Sequence, residues 1–159
     1  MSKCRDEKLN NETTSTYRGC LCPVGAGYEL KFGDNIELIA PNVTAREMAE
    51  VTQRTDIQFP VGATGLGYVF FGSGIDDALA IKVLIPEEKK SDFLKNDLFQ
   101  SGEKNKPSVQ IGSNQSWWNL KELKDREDRT KSLPKGRYIE CSFGKAEGKW
   151  VAYISWMST

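Results

Sequence analysis

The chain has 159 residues, which is long enough to bury one hydrophobic core and falls in the usual size range of a single domain. Its 22 basic residues are matched by 22 acidic ones, so it lacks the excess of positive charge from which nucleic-acid binding draws its affinity. It contains no histidine, which excludes Ser-His-Asp and Cys-His triads, histidine-ligated zinc and other sites that depend on imidazole.

The start of the chain differs in composition from the rest. Residues 1–16 are polar and rich in Lys, Glu, Asn and Thr, so they can bury little surface, and we expect a flexible leader there. Residues 17–159 are expected to form a single domain. No apolar run approaches the ~18 residues that a membrane-spanning helix requires. The longest run, Ala78–Ile85, is interrupted by Lys82. We therefore expect no transmembrane segment.

Four cysteines, Cys4, Cys20, Cys22 and Cys141, can pair in three ways. The spacing of Cys20 and Cys22 is one residue tighter than in zinc ribbons, and the other two cysteines form no second close pair, so we expect no metal site. A disulfide from Cys20 or Cys22 to Cys141 would join the N-terminal region to the C-terminal strands and would imply an oxidising compartment. The alternative is that one or two of the four cysteines are buried free thiols.

The next segment combines a hairpin pattern with the start of a helix. Two short apolar runs, residues 28–32 and Ile36–Ile39, flank a Gly-Asp-Asn sequence, which predicts a β-hairpin. A helix over residues 44–54 is predicted next, because Thr44 and Glu47 have the spacing of a capping box, in which both side chains satisfy free backbone N–H groups. The expected core face of this helix consists of Ala45, Met48, Ala49 and Thr52.

The centre of the chain has the clearest pattern. Residues 65–74 contain a Tyr-Val-Phe-Phe run of strong strand propensity, which a Gly-Ser-Gly sequence ends. A second strand is predicted over Ala78–Ile85. The side chains that alternate onto one of its faces are Leu79, Ile81, Val83 and Ile85. Pro86 is then expected to open a helix, because the first turn of a helix does not need its missing N–H. The core face of that helix would consist of Phe93, Leu94 and Leu98.

The C-terminal half begins with polar sequence and ends in a hairpin. Residues 101–108 are predicted to form a loop and residues 116–123 a short helix. The nearly all-charged residues 121–131 are predicted to form a solvated helix end or a mobile loop. Strands at residues 137–143 and 149–156 flank a Gly-Lys-Ala-Glu-Gly sequence and predict a hairpin. The side chains expected to face the core from these strands are Ile139, Cys141, Phe143, Trp150, Ala152, Ile154 and Trp156.

These elements together indicate the α+β class, with an antiparallel sheet built from hairpins and two or three helices packed on one side. The glycines at residues 62–67 are not ordered as in a dinucleotide-binding loop. A strand follows them, whereas phosphate-binding loops precede a helix, so we interpret this segment as a turn. No other cofactor motif is visible, and we expect no cofactor.

Four aromatic residues are candidates for contacts with a partner protein. In the pair Trp117 and Trp118, one ring is expected to point away from the core, and an exposed tryptophan is a typical anchor of protein interfaces. Tyr68 and Phe71 lie on a predicted strand, at least one face of which needs cover from a partner or a helix. The alternative for the two tryptophans is that both are buried, one in the core and one under the 101–108 loop.

Catalysis without histidine would have to use carboxylates, Lys, Tyr or Cys. A cleft in which Asp76, Asp77, Glu140 or a cysteine has a strongly perturbed pKa would indicate an enzyme. Adjacent residues point to opposite faces of a strand, so Asp76 and Asp77 do not fit the paired acids of a glycosidase. We interpret them as turn residues.

The stretch at residues 74–82, followed by a Pro-Glu-Glu sequence at 86–88 and by Phe93-Leu94, resembles segments of small bacterial envelope lipoproteins. Cys4, ahead of a polar tether, corresponds in position to the cysteine that carries the lipid in such proteins. The resemblance implies a location in the envelope, with a membrane tether through a lipid on Cys4. It also implies a binding or inhibitor function, including the neutralisation of secreted toxins.

The sequence favours a non-enzymatic, protein-binding domain of the bacterial cell envelope, including an inhibitor or immunity protein. The reasons are the missing histidine, the missing cofactor motifs, the neutral charge and the surplus of aromatic residues. We expect a protein partner, no nucleic acid, and a periplasmic or envelope-anchored location, with the cytoplasm as the alternative. Two other functions stay open, a small carboxylate- or cysteine-dependent hydrolase and a structural envelope domain.

Overall fold

The computed structural model describes residues 35–108 and 111–159 of the chain. The predicted leader at residues 1–16, the predicted strand at 28–32, and Cys4, Cys20 and Cys22 lie outside the described residues.

The described residues form a six-stranded antiparallel sheet with a few short helices, so the fold is mixed α+β. The strands are β1 (Ile36–Ile39), β2 (Thr64–Phe71), β3 (Ala78–Ile85), β4 (Lys124–Leu133), β5 (Arg137–Ala146) and β6 (Lys149–Ser158). Their order across the sheet is β1-β2-β3-β6-β5-β4. Within the described part of the chain, β1 and β4 are therefore the two edges.

Two predicted hairpins, β2–β3 and β5–β6, are confirmed. The turn between β5 and β6 is shorter than the predicted loop, because the strands extend until only Glu147 and Gly148 remain between them. The φ angles of these two residues are 50° and 79°. Positive φ at both central positions is typical of the two-residue turn whose twist matches that of the flanking strands.

The predicted capping box begins α1 (Ala45–Thr55). The Thr44 N–H donates to Oε2 of Glu47 at 2.8 Å, and the Thr44 hydroxyl accepts from the backbone of the first turn. The expected core face is corrected in part, because the residues that α1 buries are Val51 and Thr55. The alanines of α1 are exposed, since a methyl group gains much less than a valine side chain from burial.

The single helix predicted after Pro86 is instead divided. A 3-10 turn over Glu87–Lys89 leads into α2 (Lys90–Phe93), and α3 (Asp97–Ser101) follows. The Asn96 side chain separates the two helices, because its amide donates to the carbonyl of Phe93 at 2.7 Å and its oxygen accepts from the Gln58 N–H at 2.6 Å. Phe93 and Leu98 are buried, as predicted.

The main core lies between one face of the sheet and the helices. All the side chains predicted to alternate onto that face of β3, β5 and β6 are buried there. The helical residues in the same cluster are Val51 of α1, Phe93 of α2, and Leu98 and Phe99 of α3. Phe93 is at the centre, because its ring lies 5.3 Å from that of Phe99 and 5.2 Å from that of Phe143.

The charged segment at residues 121–131 was predicted to be a helix end or a loop, and this prediction is wrong. Most of it belongs to β4, which pairs with β5 along the sheet edge. Its charges are paired locally, Arg126 with Asp128 at 2.7 Å and Arg129 with Glu127. Charged side chains are a common way to protect an exposed sheet edge from pairing with other chains, so high charge does not exclude a strand.

On the other face of the sheet, Trp117, Trp118 and Leu120 pack against side chains of the strands. They precede β4, and a 3-10 turn over Leu120–Glu122 forms where the sequence predicted a short helix. This turn is joined to the sheet by Glu122, which accepts from Lys82 at 2.7 Å and from the Tyr153 hydroxyl. Burial by itself would raise the pKa of Glu122, but the hydrogen bonds from Lys82 and Tyr153 and the charge of Lys82 outweigh it, and the pKa is lowered.

Glu122→Gln is therefore expected to lower the free energy of unfolding by about 1–3 kcal/mol at pH 7, the range for hydrogen bonds to charged groups. A folded-state pKa below the unfolded value adds stability above the unfolded pKa, and this stability is lost as the pH falls through the folded pKa. The difference between wild type and variant should thus shrink below pH 4.5, the ordinary value for Glu. Urea denaturation at pH 7 and pH 3 measures this difference in the free energy of unfolding.

The control variant is Glu88→Gln, because Glu88 is exposed. An equal pH dependence in both variants would contradict the stabilising role of the Glu122 carboxylate.

Candidate binding groove

An open groove of about 670 Å³ lies between the outer side of α1 and the sheet. Arg46, Ala49, Glu50 and Gln53 line it from α1, because residues spaced by three, four and seven positions share one side of a helix. The remaining lining residues are Arg54 of α1, Arg137 of β5 and Trp156 of β6.

Arg54 is held in place at the wall of this groove. Its guanidinium carbon lies 4.9 Å from the ring centres of both Phe70 and Trp156. It also pairs with Glu50 at 3.0 Å and with Asp77 at 3.7 Å. A guanidinium that contacts two rings and two carboxylates has little freedom left, so Arg54 is a fixed part of the wall.

Glu50 is the only carboxylate among the described residues that line the groove, and both of its oxygens already accept hydrogen bonds. Oε1 accepts from Nε of Arg54 at 3.1 Å, and Oε2 accepts from the Tyr68 hydroxyl at 2.9 Å. Burial and the hydrogen bond to Glu50 raise the pKa of Tyr68 well above its usual value, so the phenol stays protonated and keeps donating. Glu50 therefore holds Arg54 and Tyr68 in place at the wall of the groove.

Arg46 and Arg137 differ from Arg54, because neither forms an ion pair with a carboxylate of the described residues. Arg46 is exposed in the first turn of α1. Arg137 begins β5, where its Nε donates to the carbonyl of Pro134 at 3.0 Å. Two residues further along β5, Ile139 pairs with Trp156, so Arg137 and Trp156 share one face of the sheet. The groove thus presents two guanidinium groups whose charge is not balanced by an ion pair.

The turn between β2 and β3 lies at the same end of the sheet as Arg137. Ile75 at its tip is 86% exposed. The Ser73 hydroxyl accepts from the Asp76 N–H at 2.6 Å, and Asp77 pairs with Arg54. The interpretation of the two aspartates as turn residues agrees with these contacts.

The residues considered for a hydrolase are not brought together. Glu140 is buried on the opposite face of β5 from Cys141, where it accepts from the N–H and the hydroxyl of Ser108 at 2.6 and 3.0 Å. Asp76 and Asp77 lie in the β2–β3 turn. Burial raises the pKa of the Cys141 thiol, which disfavours the thiolate that a nucleophile needs.

Cys141 is a fully buried thiol without a disulfide partner among the described residues. Cys20 and Cys22 lie outside the described residues, so the disulfide to Cys141 and the lipid on Cys4 stay predictions.

The four aromatic residues proposed for partner contacts do not form an exposed patch. Tyr68 is 1% exposed in the main core, and Trp117 is 9% exposed against Val69 and Ala80 on the other face. Trp118 and Phe71 are half-buried, and the Trp118 ring lies 5.0 Å from that of Tyr153. The alternative that both tryptophans pack into the fold describes these positions better, because large rings gain most from removal from water.

The arginines of the groove were missed by sequence reasoning. The spacing of Arg46, Glu50 and Gln53 predicts that they lie together on one polar side of the predicted helix. Their position opposite Arg137, about 90 residues later in the chain, depends on how α1 packs against the sheet.

No described helix has the length and apolar character needed to cross a membrane. Among residues 35–108 and 111–159, no three His, Cys, Asp or Glu side chains are grouped so that they could hold a metal ion. Comparison with family models, with curated proteins and with solved structures finds no match, and function therefore has to be inferred from the geometry of the groove.

Proposed function

We propose that this chain is a non-enzymatic protein-binding domain and that the groove beside α1 is its binding surface. The observation that carries the proposal is the pair Arg46 and Arg137, which face an open groove without an ion-pair partner among the described residues. Arginine is enriched in protein interfaces. The exposed Ile75 at the same end of the sheet offers an additional apolar contact.

The chemistry of the groove favours binding over catalysis. Its polar side chains are guanidinium and amide groups, and its carboxylate is used by Arg54 and Tyr68. Guanidinium groups stay protonated at every accessible pH, so they hold an anion well but cannot exchange protons as a general acid or base must.

The proposal extends to the class of protein. The resemblance of residues 74–82 to envelope lipoproteins supports a domain of the bacterial envelope, periplasmic or tethered through a lipid on Cys4, that acts as an inhibitor or immunity protein. A secreted toxin or enzyme would then be the partner.

Site-specific photo-crosslinking in the native cell tests the binding surface. A benzoylphenylalanine replaces Gln53, which is exposed in the groove, or Gln100, which is exposed on α3 and does not line the groove. We expect a covalent adduct with one protein from position 53, none from position 100, and loss of the adduct when excess unmodified domain competes. Equal adducts from both positions, or none from position 53, would contradict the proposal.

A further inference from the structure

We infer that the partner presents an acidic segment to the groove, with carboxylates held by Arg46 and Arg137. This inference rests on the proposed function and specifies the chemistry of the same site. It begins from the charges that the described residues contribute to the groove, which are three guanidinium groups and one carboxylate. Because Arg54 and Glu50 pair at 3.0 Å, the charges of Arg46 and Arg137 are the ones left for a ligand.

The geometry of arginine suits a carboxylate. Its planar guanidinium donates two parallel hydrogen bonds to the two oxygens of a carboxylate, and such bidentate pairs are stronger than bonds between neutral groups. Arg54 contacts the rings of Phe70 and Trp156 and pairs with Glu50 and Asp77, so it keeps the wall beside the two arginines fixed. An acidic segment can therefore bind without reordering the wall, which limits the entropy lost on binding.

A protein segment is favoured over nucleic acid by two observations. The chain has no net charge, whereas affinity for nucleic acid comes mostly from an excess of basic residues that replaces the counterions of phosphates. The exposed Ile75 at this end of the sheet suits an apolar side chain of a protein, and it offers nothing to a phosphate backbone.

Binding of defined peptides to the complete chain tests the inference. The probe is a fluorescein-labelled peptide of alternating glutamate and leucine, and its analogue has glutamine in place of glutamate. Fluorescence anisotropy measures the dissociation constant for wild type and for the double variant Arg46→Gln with Arg137→Gln. The matched control is Lys104→Gln with Lys106→Gln, which removes the same charge from a second basic groove, beside β4. Circular dichroism melts establish that both variants are folded.

We expect wild type to bind the glutamate peptide and to bind the glutamine analogue only weakly. In the groove variant the dissociation constant for the glutamate peptide should rise at least about tenfold, which corresponds to one lost interaction of ordinary strength. In the control variant it should change little. Equal losses in both variants would overturn the inference, because they would show a general effect of charge. Two other results would also overturn the inference of an acidic segment. One is equal binding of the glutamine analogue, and the other is tighter binding of a DNA oligonucleotide with the same dependence on Arg46 and Arg137.

The photo-crosslinking experiment separates this inference from the proposed function. A persistent adduct from position 53 without peptide binding would overturn the acidic segment alone. If neither an adduct from position 53 nor peptide binding were observed, both the acidic segment and the binding surface would be overturned. A persistent adduct from position 53 that also survives in the groove variant would leave protein binding in place and remove the role assigned to Arg46 and Arg137.

Discussion

Phe93→Ala is expected to lower the free energy of unfolding by about 3–5 kcal/mol, the usual cost of truncating a fully buried phenylalanine. The side chain is 0% exposed and its ring packs against the rings of Phe59, Phe99 and Phe143. Because Phe99 belongs to α3, Phe143 to β5 and Phe59 to the segment between α1 and β2, the cavity left behind lies between the two layers and cannot close by a small local shift. Small domains are stable by only about 5–15 kcal/mol, so the variant should unfold at much lower urea concentration.

Phe71→Ala is the matched control, because it removes the same ring from a half-buried site at the end of β2. We expect a clearly smaller loss, since less apolar surface returns to water. Equal losses in the two variants would show that Phe93 is not at the centre of the core.

The second large effect is expected at Gly67, where the backbone of β2 passes close to the Trp117 ring. A Cβ added at this position would overlap the ring, with Cγ at 2.5 Å and Cε2 at 2.7 Å. Gly67→Ala should therefore push the indole off the sheet and cost about 1–3 kcal/mol, the range for overpacking a well-packed site. Thermal denaturation measures the cost, and the fluorescence of the displaced tryptophan is expected to shift to longer wavelength.

A double-mutant cycle separates the steric overlap with Trp117 from any effect that replacing the glycine has on the backbone of β2. In the Trp117→Ala background there is no ring for the new methyl group to meet, so Gly67→Ala should cost much less than it does in the wild type. Additive losses in the two backgrounds would contradict the contact between Gly67 and Trp117, and with it the burial of that ring.

The groove also shows why the net charge of the chain did not predict a local site of positive charge. The chain as a whole is neutral, and some of its described charges form ion pairs, such as Lys82 with Glu122 and Arg126 with Asp128. Arg46 and Arg137 lie far apart in the sequence and are brought to one groove only by the packing of α1 against β5 and β6. A net charge averages over the surface, whereas recognition depends on local excess.

The hairpins and the capping box were predictable because they depend on neighbours in the chain. The alternation of Leu79, Ile81, Val83 and Ile85 sets which side chains of β3 face the main core, and a shift by one residue would turn all four to the opposite face. The spacing of Thr44 and Glu47 likewise determines where α1 begins. These signals act over a few residues, and the structure confirms them at nearly the predicted bounds.

The amino-acid pattern by itself determined which side chains of β3, β5 and β6 face the main core, where α1 begins, and that the class is mixed α+β. Only the tertiary structure decided that a highly charged segment completes the sheet as β4, that Asn96 divides α2 from α3, and that Trp117 packs onto Gly67. It also decided which arginines share a groove. The physical reason is that these features depend on contacts between residues distant in sequence, and such contacts override local propensity when they bury apolar surface or supply backbone hydrogen bonds.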